Sequence, residues 1–207
     1  MSFLLISMMH IYGVKNNLQK PMKEIVLCFL DITSEALEDN ILNKLAAYVA
    51  PKTSRKRNGK VAPIVHVELW FRESNNTGFS CSICYGKQVH WHNKNFSRVW
   101  SFRSLYTTDE AYAKIKSWCL LQRGCKFNGL GFYALGAGLR IPGTWPSFFG
   151  FRNRYFCSEL VTTALKHGEI FPKSQSTVIH PEKLFNLIAP ISSVTSIKER
   201  NFSSITY

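Results

Sequence analysis

Apolar positions along the chain change their period several times, and each change marks an element. Residues 24–30 form a nearly unbroken apolar run (Ile25, Val26, Leu27, Cys28, Phe29, Leu30), which predicts a buried strand. Asp31-Ile32-Thr33-Ser34 then supplies capping residues. Leu37, Ile41, Leu42, Leu45, Ala46 and Val49 recur at helical spacing as far as Pro51. Over residues 64–71 the period drops to two, with Val65, Val67 and Leu69 on one face and His66, Glu68 and Trp70 on the other. After the turn Asn75-Asn76-Thr77-Gly78, residues 79–85 and 88–92 predict a hairpin across Gly86-Lys87, and residues 99–105 a further strand. Links this short imply antiparallel pairing.

The second half returns to the helical period. Thr107 with Glu110 reads as a capping box, and Ala111, Ile115, Trp118, Cys119 and Gln122 form the inner side of a helix that Gly124 stops. Residues 124–153 are rich in glycine and aromatics, which predicts loops with a short helix packed near the next element. That element is a helix from Cys157 to His167-Gly168. Leu160, Val161 and Ala164 follow Cys157 at i+3, i+4 and i+7, so the thiol shares the inward apolar face. Pro181 reads as the first residue of a last helix carrying Leu184, Phe185 and Leu187. The tail from Ser192 is Ser/Thr-rich and reads as a last strand or a loose end. The fold class expected is α+β, an antiparallel sheet packed against the helix that carries the cysteine.

Composition narrows this picture. The 207 residues suit one domain over 23–207, preceded by an extension over 1–22 that ends in a polar break at Asn16-Asn17-Leu18-Gln19-Lys20-Pro21. An apolar content of 45%, with 14% aromatics, is ample for a core and argues against disorder. No basic region opens the apolar start, no A-x-A-like cleavage site follows it, and no stretch reaches the roughly 18 apolar residues of a transmembrane segment. With six cysteines in a chain too long to need staples, free thiols in a reducing, intracellular and cytoplasmic setting are expected. A net charge of +13 draws polyanions. The loop 52–60 carries five cations, among them Arg55, Lys56 and Arg57, and is the candidate contact for nucleic acid or acidic lipid. It has no interleaved aromatics for base stacking, and a solvated loop is the plainer reading.

The candidate chemistry rests on a pair. A cysteine on an apolar helix face is in itself core filling. Cys157, however, opens its helix, where the dipole and unpaired N–H groups favour a thiolate. A histidine on a strand is in itself ordinary, but Glu68 stands two positions from His66 on the same face. A carboxylate there holds one ring nitrogen and leaves the other for a thiol. Cys157, His66 and Glu68 are therefore the expected nucleophile, base and orienting acid. The Cys157 backbone N–H is one oxyanion donor, and Tyr155 is a candidate for the second. Cys81-x-x-Cys84 with His90 and His92 has legal zinc ligands, but strand alternation sends the two cysteines to opposite faces, which favours hairpin packing. No metal and no cofactor is expected. Neither a Gly-x-Ser-x-Gly elbow nor a phosphate-binding Gly-x-x-x-x-Gly-Lys run is present.

His66-Val67-Glu68 on a strand, followed far downstream by Phe156-Cys157-Ser158-Glu159-Leu160-Val161 opening a helix, resembles the circularly permuted NlpC/P60 papain-like superfamily. The similar branch is the one with bacterial YiiX/YaeF-type proteins and their poxvirus counterparts, in which the histidine strand precedes the cysteine helix. The resemblance runs over about residues 24–190 and takes in the leading apolar strand, the Gly/aromatic stretch and His180-Pro181-Glu182. The Gly-Asp usual at the first strand is here Lys23-Glu24. It implies a permuted papain-like fold with Cys157 as nucleophile, His66 as base and Glu68 as third residue. The function it implies is a cysteine peptidase or amidase acting on an amide, isopeptide or ester carbonyl of a polypeptide or acyl substrate. Lipid acyltransferase or phospholipase chemistry on the same fold, and a non-catalytic basic binding protein, are the alternatives. The branch recurs in large DNA viruses, so the resemblance is compatible with a viral chain acting in host cytoplasm.

Overall fold

A computed structural model describes residues 22–35, 37, 41–73, 77–84, 87–96, 99–143 and 153–192. The expected extension over 1–22, except Met22, and the tail beyond Ser192 lie outside the described residues. The two most apolar strands, β1 (Lys23–Asp31) and β4 (Ile64–Arg72), pair antiparallel at the centre of a sheet. Both are covered on two faces, which is why β1 reads as a continuous apolar run. β7 (Ser101–Thr107) adds to the free side of β1, while β5 (Gly78–Ser82) and β6 (His90–Asn93) add to β4. The order is β6-β5-β4-β1-β7, all neighbours antiparallel. The short ribbons β2 (Lys56–Arg57) with β3 (Lys60–Val61), and β8 (Lys126–Phe127) with β9 (Arg154–Tyr155), lie outside it. The architecture is mixed α+β.

Period two sorts the strands onto two cores. Ile25, Leu27, Phe29, Val67, Leu69 and Phe71 face the helices α2 (Asp109–Leu121), α4 (Cys157–His167) and α5 (Pro181–Ile188). Leu160, Val161, Ala164 and Leu165 of α4 are fully buried there, and each large side chain contributes about 1.5–3 kcal/mol. Val26, Cys28, Leu30 and Trp70 face the other way, under a lid of Phe96, Trp100 and Phe102. Those rings meet in tilted and edge-on contacts, such as Phe96 on Trp100 at 4.8 Å and 86°.

Two local expectations are corrected, and the short helix expected in the glycine-rich stretch is present. The cap of α2 is Thr108, whose side chain accepts from the Ala111 N–H, so Thr107 stays in β7 and Glu110 closes no capping box. The first helix is shorter than its apolar stripe: α1 spans Ile41–Tyr48, with Ala46 buried but Ile41 78% and Tyr48 87% exposed. Leu37 packs instead on the aromatic side of the sheet. The glycine-rich region forms α3 (Gly129–Gly136), capped by the Asn128 side chain on the Gly131 N–H. No helix of the described residues is long and apolar enough to cross a membrane.

Candidate active site

The site grows from an irregularity in β4. Asp31 stands opposite Ile64 and Leu30 opposite His66, so Val65 is an extra residue and the strand bulges immediately before the histidine. A bulge bends its strand and re-aims the next side chain. The β4–β5 ladder ends at Leu69↔Cys81, which leaves the first residues of β4 with a paired strand on the β1 side only. α4 brings its first residue to this stretch, where Cys157 Sγ lies 4.0 Å from the Val65 carbonyl oxygen. A helix on one face of the sheet thereby reaches a histidine on the other.

His66 and Glu68 are both buried, and His66 Nε2 lies 3.2 Å from Glu68 Oε1. That leaves Nδ1 on the side of the thiol, and Cys157 is close enough to raise the pKa of the ring. Burial opposes a charged imidazole here. The hydrogen bonds to Cys157 and Glu68 and the nearby thiol charges, Cys157 before Cys84, outweigh it and hold the His66 pKa well above its ordinary value. Trp100 stands edge-on to the ring at 6.0 Å and covers it. Glu68 is held from three sides: besides His66, Ser80 Oγ donates to Oε2 at 2.6 Å and Lys94 Nζ to Oε1 at 2.7 Å. Burial pushes its carboxyl up, but the His66 hydrogen bond and the charges of His66 and Lys94 bring it down to about 2. The Lys94 ammonium lies 4.5 Å over Trp100 and 4.8 Å over Phe96, so the same lysine ties the carboxylate to the aromatic lid.

Cys157 is the first helical residue after the N-cap Phe156, which offers no side-chain cap. Glu159 supplies the missing half: it reaches back to the Phe156 backbone, as the third residue of a capping box does. Its two oxygens also accept from the Gly143 N–H at 2.9 Å and from Asn128 Nδ2 at 2.9 Å. Asn128 Nδ2 further donates to the Ile141 carbonyl, so one buried carboxylate pins residues 141–143 beside the helix start. Burial raises the Glu159 pKa, against the hydrogen bonds from Asn128, Gly143 and Phe156. The Cys157 N–H belongs to the first turn, where no intrahelical acceptor exists.

The structure thus brings Cys157, His66 and Glu68 together. It assigns Tyr155 elsewhere: its hydroxyl bonds Gln122 Oε1 at 3.0 Å, its ring packs against Trp118, and burial raises its pKa, so it is not an oxyanion donor. Of the basic trio only Lys56 is exposed. Arg57 is bound to Asp31 at 3.0 Å and to the Val99 carbonyl at 2.9 Å, and Arg55 turns inward onto Phe185. Cys81 is buried beside Cys119, whereas Cys84 is exposed and near His66. Among the described residues no cluster of three or more His, Cys, Asp or Glu is arranged to hold a metal.

Ser80, Lys94, Asn128, Gly143 and Glu159 are the site residues that pattern reading passes over. Glu159 alone had a local signal, its place three residues after a helix N-cap. Ser80 and Lys94 become partners of Glu68 only through the β4–β5–β6 register. The arrangement can activate a thiol, carry its proton on an imidazole and hold that imidazole by a carboxylate. No family model matches the chain, and no curated protein or solved structure is significantly similar to it.

Proposed function

We propose that the chain is a cysteine hydrolase, a peptidase or amidase first, acting through an acyl-enzyme on Cys157. The observation that carries this reading is that one buried histidine is the shared partner of a helix-opening thiol and a buried carboxylate. Cys157 gives its proton to His66 Nδ1, and the sulfur attacks a carbonyl carbon, with the oxyanion at the Cys157 N–H. The carbon–nitrogen or carbon–oxygen bond then breaks as His66 protonates the leaving group. Water, giving a proton to His66, displaces the thiol and releases the acid. An acceptor alcohol in place of water turns the same steps into acyl transfer. The permuted papain-like fold and the NlpC/P60 kinship belong to this proposal. They are supported by the order of histidine strand before cysteine helix and by the antiparallel sheet between them.

The test is labelling with carbonyl-directed thiol probes, one on a peptide, one on a ubiquitin-type tail and one on a fatty acyl chain. Labelling of the wild type that vanishes in Cys157→Ala and His66→Ala supports the enzyme, and the preferred probe names the acyl group. Folded protein inert to all three sinks the proposal. The alternative of a basic binding surface on the 52–60 loop is weakened by Arg57, whose guanidinium is bound to Asp31 and to the Val99 carbonyl.

A further inference from the structure

Two arginines meet one ring on the helix-covered side of the sheet. Arg103 comes from β7, opposite Leu27 of β1, and Arg55 from the segment before β2. Their guanidinium carbons lie 3.9 Å and 4.0 Å from the centroid of Phe185 in α5, a ring held edge-on by Phe29 at 5.0 Å. Arg103 is only 8% exposed. The Nε atoms of both arginines are buried and have no hydrogen-bond partner among the described residues. The nearest carboxylate, Glu182, approaches Arg55 Nε only to 4.0 Å and uses the same oxygen to accept from the Ile64 N–H at 2.7 Å. For Arg103 the described residues offer an aromatic face and the like charge of Arg55.

Such an arrangement is costly as it stands. A guanidinium stays protonated at any working pH, so it cannot relieve burial by losing its charge. Burial and, after it, the charge of Arg55 lower the Arg103 pKa, which is the mark of a cation without a counter-ion. Buried polar groups in folded proteins are nearly always satisfied, and two like charges on one ring, whose buried Nε–H groups find no acceptor among the described residues and which share one distant carboxylate, call for an anion. Two planar donor forks backed by an aromatic face suit a tetrahedral dianion better than a single carboxylate. Cation–π contact holds the forks in place and leaves their edges free to donate.

We propose that Arg55 and Arg103, stacked on Phe185, form a binding site for a phosphate group, borne either by a soluble phosphate or by a phospholipid headgroup. This site is inward of the 52–60 loop surface and draws its second cation from β7.

The test reads binding and needs no turnover. Calorimetry and thermal unfolding of the full chain are run in inorganic phosphate and in chloride at matched ionic strength. A saturable phosphate response is expected, and Arg103→Met should weaken it by at least about tenfold, the loss of one charge-assisted contact. In chloride Arg103→Met should unfold no earlier than wild type, because it removes an unpaired buried charge. If that variant does not fold, Arg55→Gln, at a side chain 26% exposed, carries the same expectation for binding. Flotation with phosphatidylcholine vesicles, with and without phosphatidic acid, separates the sources. Capture that needs phosphatidic acid and is lost in the variants identifies a headgroup site; phosphate binding without capture identifies a soluble ligand. A phosphate response no greater than chloride with no vesicle capture overturns the proposal, as does binding that both variants retain.

Discussion

At the scale of single residues, the candidate site is governed by who shares Glu68. Its Oε1 serves both His66 and Lys94, at 3.2 Å and 2.7 Å, so the lysine competes with the imidazole for the same oxygen. Against burial, Cys157 first and this carboxylate second still raise the His66 pKa well above the ordinary 6.5. Glu68→Gln removes that charge, so the His66 pKa should fall. If the imidazolium protonates the leaving group, the alkaline limb of kcat/KM should move to lower pH by a unit or so, the effect of one nearby charge. A profile that stays in place would show that Glu68 does not act through His66. His66 and Glu68 were legible as a pair because period two puts them on one face, and Cys157 because helical spacing shows which way its side chain turns. Lys94 was not legible. It lies outside any regular pattern and reaches Glu68 only after β5 and β6 have added to the sheet.

Elements are joined to the site by Glu159. Its oxygens meet two donors from different segments, Asn128 Nδ2 and the Gly143 N–H, while its own backbone starts α4. Glu159→Gln can satisfy only one of them, because the new amide presents a donor to the other. A loss of about 1–3 kcal/mol in urea unfolding is expected, the cost of a buried donor left without an acceptor. An unchanged midpoint would mean that residues 141–143 are held by other contacts. Gly143 is constrained for a different reason: a Cβ there would run into the Arg154 carbonyl. Gly143→Ala should therefore force the two segments apart and destabilise by roughly 1–3 kcal/mol, seen as earlier thermal unfolding. Elements were read with uneven success, and the failures are physical. Thr107 and Thr108 are equally good capping residues locally, and β7 decides between them by pairing Thr107 with Lys23. The Ile41 stripe promised a buried face, but the sheet meets only part of it.

For the molecule as a whole, two buried histidines pull stability in opposite directions with pH. His66 has a raised pKa, so its contribution is complete below 6.5 and is lost as pH climbs through the raised value. His180 is the reverse case. Its Nδ1 accepts the Glu182 N–H, so Nε2 donates to the Ala46 carbonyl at 2.8 Å and the ring is held neutral. Burial lowers its pKa, against the Ala46 hydrogen bond and the Glu182 charge, and its contribution is complete above 6.5 and lost as pH falls through the lowered value. Chemical unfolding against pH should show a maximum near the ordinary histidine pKa of 6.5, where both contributions are close to complete. His66→Gln should flatten the alkaline side and His180→Asn the acid side; the opposite pattern would reverse both assignments. Glu68 adds a further loss that begins as pH falls below its ordinary 4.5 and runs down through about 2.

The bulge at Val65 has a consequence in time. The carbonyl that the Cys157 sulfur approaches is 92 residues back along the chain, so no local segment can bring the two together. The thiol acquires its histidine only when the sheet has closed and α4 has docked, among the slowest contacts for a chain to find. During synthesis the histidine strand emerges first and waits. A partly made or partly folded chain would carry the cysteine as an ordinary thiol. If Cys157 is the nucleophile proposed above, its reactivity is among the last properties the folding chain acquires.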